Sequence, residues 1–221
     1  PPQQANHHFS EALPAQHYRV VRLIRARGVM PRGDLAQQLG MSRATVTGLV
    51  KDLIDRGILQ EIAGDRATGG RRARFLDFNP DFATVLGVDM GATSVDIALA
   101  NFRGDVLARH NEPIDVRDGP EPVLGRVVEI AQSLIARVPG SGEALRSIGI
   151  GVPGPVDFAN GTLNVPPIMP GWERYPIRPK IQETFPHTTV VVDNDVNIMA
   201  LGELRAGAGK GVEHFVFVKV G

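Results

Sequence analysis

The 221 residues are enough for two units of unequal size with real cores, and 43% apolar against 22% charged residues is the balance of a globular chain rather than a fibrous or unfolded one. No apolar run approaches the ~20 residues that a membrane span needs, and no basic stretch leading into an apolar one opens the chain, so a cytoplasmic location is expected. The absence of Cys excludes disulfides, thiolate catalysis and Cys-ligated zinc within these residues, and the net charge of zero conceals a split, with 12 Lys and Arg against 7 Asp and Glu over 1–80 and 12 against 17 over 81–221.

A basic stretch followed by an acidic one points to a polyanion as the partner of the first, since neutralised phosphates and released counterions drive nucleic-acid affinity. Residues 1–14 have a Pro pair, a Gln pair and a His pair but no apolar periodicity, and read as a disordered tail. Tyr18, Val21 and Ile24, with Val20 and Leu23 alongside, predict a helix over 15–27 that Gly28 ends. A second helix is expected over 32–39, with Asp34 at the positive end of its dipole and Leu35, Ala36 and Leu39 facing inward. The turn Gly40-Met41-Ser42 then places Ser42 as the N-cap of a third helix, accepting from the backbone N–H of Thr45.

In that third helix Val46, Leu49, Val50, Leu53 and Ile54 fall on one stripe, which leaves Arg43, Ala44, Thr47, Gly48 and Lys51 on the other face. Short residues there would let the helix lie deep in a major groove, while Arg43 and Thr47 near its start reach base edges or phosphates. Helix, tight Gly turn and small-faced helix together read as a helix-turn-helix. Gly57 should close the helix, and two β-type runs, 58–62 and 73–78, flank a Gly-rich segment with Arg66, Arg71 and Arg72, Arg74 lying just beyond, which reads as a wing. The DNA-contacting set expected from this pattern is Ser42, Arg43, Thr45, Thr47, Lys51, Arg66, Arg71 and Arg72; a winged helix that only binds protein is the alternative.

Asn79-Pro80 punctuates the chain, so a second unit is expected over 81–221 after a winged helix over 15–80. Residues 85–100 read as two strands joined by a turn at Gly91, with a third strand over 105–109. In kinases that open with such a hairpin, an Asp-x-Gly-x-Thr run helps to position metal-bound phosphates. Asp89, Gly91 and Thr93 match that run, but so short a motif taken alone reads first as an ordinary hairpin turn. A helix over 121–137 and a buried strand over 147–152 lead into Gly151-Val152-Pro153-Gly154-Pro155, a rigid loop at a strand end where α/β sheets place ligands. Past a Pro-rich stretch, a strand over 189–193 runs into Asn194-Asp195, which opens a helix to about 206. That pair can hold two adjacent hydroxyls, or can simply cap the helix.

In chain order, the motifs Gly-Met-Ser-Arg-Ala-Thr-Val-Thr (40–47), Gly-Gly-Arg-Arg (69–72), Val-Asp-Met-Gly-Ala-Thr (88–93), Gly-Val-Pro-Gly-Pro-Val-Asp (151–157), Pro-Gly-Trp (170–172) and Val-Asp-Asn-Asp-Val-Asn (192–197) resemble the ROK family, which contains sugar-responsive repressors and sugar kinases. The resemblance runs from Gln16 onward. It implies an α/β fold class: an N-terminal α+β winged helix-turn-helix followed by one actin-like, RNase-H-like lobe of the ATPase fold. It also implies a homodimer presenting two winged helices to palindromic operator DNA, and a sugar effector held near Gly151, Pro153, Gly154, Asn194 and Asp195. In the family the residues matching Asn194 and Asp195 contact sugar hydroxyls, and the Asp is the catalytic base of the kinase members.

Three positions depart from the family pattern. Kinase members read Asp-x-Gly-Gly-Thr-Lys at the first hairpin, where this chain has Ala92 and Ser94, and Ile168 stands where the family often has Asn. With Pro1 rather than Met at its start and an end at Gly221, the chain is expected to be partial, with the family's Cys-rich zinc site and remaining sugar-binding Glu and His beyond it. No metal, cofactor or catalytic residue is expected within it, and Asp89, Gly91 and Thr93 read as a vestigial nucleotide motif. The function expected is repression of carbohydrate-metabolism genes under control of a sugar or sugar derivative. The alternatives are an ATP-dependent sugar kinase of the same family and a constitutive DNA-binding protein whose second unit only dimerises.

Overall fold

The computed structural model describes residues 13–63 and 74–219, in two compact units, 1–82 and 83–221. The expected tail up to residue 12 and the wing segment 64–73, with Arg66, Arg71 and Arg72, lie outside the described residues.

The first unit opens with α1 (Ala15–Arg27), which Gly28 ends at φ 80°, a conformation that only glycine adopts without strain. After the short strand β1 (Met30–Pro31) come α2 (Arg32–Leu39), closed by left-handed Gly40, and α3 (Arg43–Asp55). Two further strands, β2 (Leu59–Ala63) and β3 (Arg74–Phe78), pair antiparallel, and β1 adds to the other edge of β3. Leu76 at the centre of that sheet faces Met30 on one side and Glu61 on the other and is fully buried. Val20, Ile24, Leu35, Val46, Val50 and Leu53 supply the helical side of the core. Burial of each such side chain contributes ~1.5–3 kcal/mol.

Several expectations shift here. Tyr18 is exposed rather than inward, because the buried stripe of α1 is Val20, Val21 and Ile24. Leu39, Leu49 and Ile54 are only half-buried. The cap of α3 is Arg56, one residue before Gly57, and β2 begins at Leu59, since Ile58 still turns, its N–H bonding Leu53 O at 2.9 Å. Strand β1 has no sequence signal, because two residues ending in Pro carry no alternation.

In the second unit β4 (Thr84–Met90), β5 (Ser94–Asn101) and β6 (Val106–Pro113) form an antiparallel meander. Helix α4 (Pro120–Arg137) and the single turn α5 (Ser141–Ala144) return the chain to β7 (Leu145–Val152), which pairs parallel to β4 on the side away from β5. A small hairpin, β8 (Val156–Asp157) with β9 (Thr162–Leu163), and α6 (Ile177–Thr184) precede β10 (Thr189–Asn194), parallel to β7, and α7 (Asp195–Ala206) ends the regular structure. The sheet order is β10-β7-β4-β5-β6. This mixed sheet is the lobe expected for an actin-like fold.

Alternation sets the faces. In β5, Val95, Ile97 and Leu99 are buried against Val123, Leu124, Val127, Ile130 and Leu134 from the apolar face of α4. The third strand runs to Pro113 instead of stopping at 109, because β6 is an edge whose exposed face, with Arg109 and Asn111, shows no apolar end point. Strand β7 starts two residues earlier than expected, at Leu145. The β8–β9 hairpin and α6 were hidden in the Pro-rich stretch. Trp172 there is fully buried, and its indole N–H donates to Val116 O at 2.8 Å.

Candidate functional site

Two sets of residues stand out, one in each unit. On α3, Ser42 Oγ accepts from Thr45 N–H at 3.1 Å, the expected N-cap, and Arg43, Ala44, Thr45, Thr47, Gly48 and Lys51 are all exposed. They make one short-residue face opposite buried Val46, Val50 and Leu53. Their polar groups are not equally available. Thr47 donates its hydroxyl to Arg43 O at 2.8 Å, and Thr45 and Ser42 share a hydroxyl bond at 2.8 Å, so these oxygens keep only acceptor or partial donor capacity. Lys51 is drawn to Asp55 one turn on, 2.5 Å away, and that partner raises its pKa. Among the described residues Arg43 has no side-chain partner, which leaves its guanidinium donors for an outside acceptor.

Ion pairs tie the elements of this unit together. Asp52 accepts from His17 of α1 at 2.8 Å and from Arg56 at 2.9 Å. Glu61 in β2 takes Arg32 and Arg74, each at 2.7 Å, and Arg74 foremost, with Arg32, holds its carboxyl below the usual range against a smaller burial effect. Arg74, expected to add to the wing's phosphate-binding charge, is therefore committed to an intra-chain pair.

The second set lies at the carboxyl ends of β4, β7 and β10. These three strands run parallel, and the carboxyl ends of parallel strands are where α/β sheets place ligands. Register puts Asp89 beside Gly151 and Gly151 beside Asp193. The sequence-predicted residues Asp89, Gly151, Pro153, Gly154, Asn194 and Asp195 are thus brought to one edge of the sheet. Gly151 is buried, and a Cβ there would meet Asp195 Cα and Ile198 Cδ1, both at 3.3 Å, so its role is to let the start of α7 pack on β7. Gly154 has φ 144° and sits against Pro166 and Leu163.

Asn194 caps α7 through Oδ1, which accepts from Val196 and Asn197 N–H at 3.0 and 3.3 Å, while its amide donates to Gly154 O at 2.9 Å and more weakly to Val152 O at 3.5 Å. With donors and acceptor both engaged, Asn194 ties the 151–155 loop to the helix; capping, one of the two sequence readings, is what it does here. Asp195 is buried, its Oδ1 accepting from Val196 N–H at 2.9 Å and its Oδ2 from Lys219 at 2.7 Å. Asp89 is exposed, yet desolvation of its carboxyl raises its pKa, Asp195 and Asp96 push the same way, and Lys219 opposes them. Lys219 had no place in the sequence reading, although a lone cation closing the apolar run 215–218 was a signal.

The first hairpin departs from the kinase pattern in its side chains. Gly91 N–H bonds Ser94 O at 2.8 Å across the turn, and the carbonyls of Ala92 and Thr93 accept from Val116 and Ile114 N–H at 3.1 Å. Ser94 offers no cation where the kinases have Lys. Among the described residues no group of three or more His, Cys, Asp or Glu is arranged to hold a metal, and no helix is long and apolar enough to cross a membrane.

Comparison with known proteins agrees with both units. Residues 13–68 match the MarR family, and residues 85–221 match the ROK family. The xylose repressor of Caldicellulosiruptor bescii is 28% identical over 202 residues, 91% of this chain and 50% of the repressor. The glucokinase of Thermotoga maritima is 31% identical over 137 residues, 62% of this chain and 41% of the enzyme. A crystal structure of a ROK family transcriptional regulator, described as a homologue of the Escherichia coli MLC protein, superposes with TM-score 0.64 at 26% identity, covering 86% of this chain and 47% of that one. The chain spans about half the length of the curated repressors it matches. Because the ROK match takes in well over half of its residues and the repressor matches extend through the helix-turn-helix as well, this chain belongs to the ROK family.

Proposed function

We propose that the protein is a DNA-binding transcriptional regulator, a repressor of carbohydrate-metabolism genes whose operator affinity is set by a sugar or sugar derivative. The observation that carries this reading is the outer face of α3, small in profile, with Arg43 unpartnered among the described residues and Ser42 capping the helix end that would enter the groove. Arg43 reads a base edge or grips a phosphate, Thr45 and Thr47 accept or exchange hydrogen bonds there, and Lys51 contributes a charge shared with Asp55. Arg66, Arg71 and Arg72 extend the contact from the wing to the backbone or the narrow minor groove. The full protein acts in the cytoplasm as a homodimer, its two recognition helices about 34 Å apart on a palindromic operator.

The sugar occupies the crevice at the carboxyl ends of β4, β7 and β10. Gly151, Pro153 and Gly154 form its wall, Asn194 holds that wall in place, and the free lone pairs of Asp195 accept from sugar hydroxyls. A ligand that favours one arrangement of the dimer shifts operator affinity by its differential binding to the two arrangements.

A selection of duplexes from a random pool, followed by binding of the winner with and without a panel of monosaccharides and their derivatives, tests both halves. One sugar should change the affinity for the selected duplex; an unchanged affinity across the panel removes the sensing role. The glucokinase relative gives the competing reading, an ATP-dependent sugar kinase. ADP release from ATP, Mg2+ and the same sugars separates the two, and Ala92 and Ser94 in place of the kinases' Gly and Lys argue for no release.

A further inference from the structure

Asp195 and Asp89 bring two carboxylates to one edge of the sheet. In enzymes that handle phosphates, such a pair is usually balanced by a divalent cation. Here the balancing charge belongs to the chain. Lys219, on the extended segment after α7, places its ammonium 2.7 Å from Asp195 Oδ2; the lysine side chain is 37% exposed and the aspartate 6%. Among the described residues Val196 N–H is the other donor to Asp195, at 2.9 Å, so without Lys219 the buried carboxylate would have a single neutral donor. Lys219 also acts on Asp89, where its charge opposes the effects of Asp195 and Asp96. An ammonium is a compact, strongly hydrated point charge with three donors, which suits it to neutralise a buried carboxylate as a metal ion would.

We propose that Lys219 is the resident counter-ion of the acidic crevice, a positioning residue that fills with a side chain the place a divalent cation would otherwise take. Ligands then meet Asp195 already oriented, with Oδ2 held by Lys219 and Oδ1 by the start of α7, and no metal is needed to bind them. The placing of ligands in this crevice rests on the function proposed above; the counter-ion role does not, and its test reads cations rather than sugars.

The test is Mn2+ binding to the full-length protein, followed by the paramagnetic resonance of the free ion, in wild type, Lys219→Met, Lys219→Arg and the double variant Lys219→Met with Asp89→Asn. Lys219→Met should bind Mn2+ at least about tenfold more tightly than wild type, as a hard cation takes the place of the ammonium at Asp195, with Asp89 contributing charge. Lys219→Arg should stay at the wild-type level, and the double variant should lose the gain. A folded Lys219→Met protein with no gain, or wild type binding Mn2+ as tightly as that variant does, overturns the proposal. A second measurement needs no variant: in wild type, acylation of the Lys219 amine read by mass spectrometry should be slower than that of exposed Lys210. Equal rates would show that the ammonium is not held by Asp195.

Discussion

The outer face of α3 and the crevice of the second unit use their polar groups in opposite ways. On α3 the exposed side chains leave hydrogen-bonding capacity over, Arg43 most of all, while the pairs Asp52 with His17 and Glu61 with Arg32 tie neighbouring elements together. At the strand ends of the second unit two of the named side chains are already engaged within the chain: Asn194 with the backbone of Gly154 and the start of α7, Asp195 with Lys219. A surface that meets a large, charged partner can leave its donors to water until that partner arrives. A small, partly buried site cannot, because an unpaired buried polar group costs ~1–3 kcal/mol, so its geometry is fixed in advance by internal bonds.

The largest effect expected is on the core of the second unit. Trp172→Ala removes the largest fully buried side chain and its bond to Val116 O, and should lower the unfolding free energy of the second unit by ~3–5 kcal/mol in urea titrations followed by circular dichroism. Operator affinity measured where that variant remains folded should change far less; an equal loss would mean that the two regions are not separable in this way. Next, Arg43→Ala should cost ~1–3 kcal/mol of operator binding by fluorescence anisotropy, as expected for a side chain that reads a base edge. Lys51→Ala, whose charge Asp55 already offsets, should weaken binding less and chiefly flatten the salt dependence.

Ser42→Ala removes the cap of α3 and should reduce the stability of the first unit by ~1 kcal/mol, with a matching small loss of DNA affinity. The smallest effect is a pH response. Hydrogen bonds from Arg126 and then His110 hold the Glu112 carboxyl down at about 2 from an ordinary 4.5, so its ion pair supports the second unit above pH 4.5 and is lost as pH falls toward 2. Arg126→Ala should flatten that part of the acid unfolding curve, and an unchanged curve would show that the pair adds nothing.

The same contrast explains what could be read from the sequence. Helices α1, α2 and α3 follow from a 3.6-residue apolar period with Gly28, Gly40 and Ser42 as punctuation, and α2 begins and ends where its pattern does. Strands β4 and β5 follow from alternation around Gly91. What escaped was long-range or irregular. Strand β1 exists only because β3 has a free edge to pair with, and α6 and the β8–β9 hairpin lie among prolines that mask periodicity. At the crevice the motifs located Gly151, Gly154, Asn194 and Asp195, but a motif cannot show that the Asn194 amide is taken up by Gly154 O or that Lys219, 24 residues downstream, reaches Asp195. Those facts depend on contacts between segments far apart in the chain, which no local pattern records.

The most direct measurement of the central claim is the affinity of the full-length protein for a duplex selected from its own genome against one of random sequence, across ~50–200 mM salt. The account predicts that the selected duplex binds ~1000-fold or more tightly than the random one, that log affinity falls steeply with log salt, and that Arg43→Ala reduces the ratio. Equal affinity for the two duplexes, or a flat salt response, would contradict it.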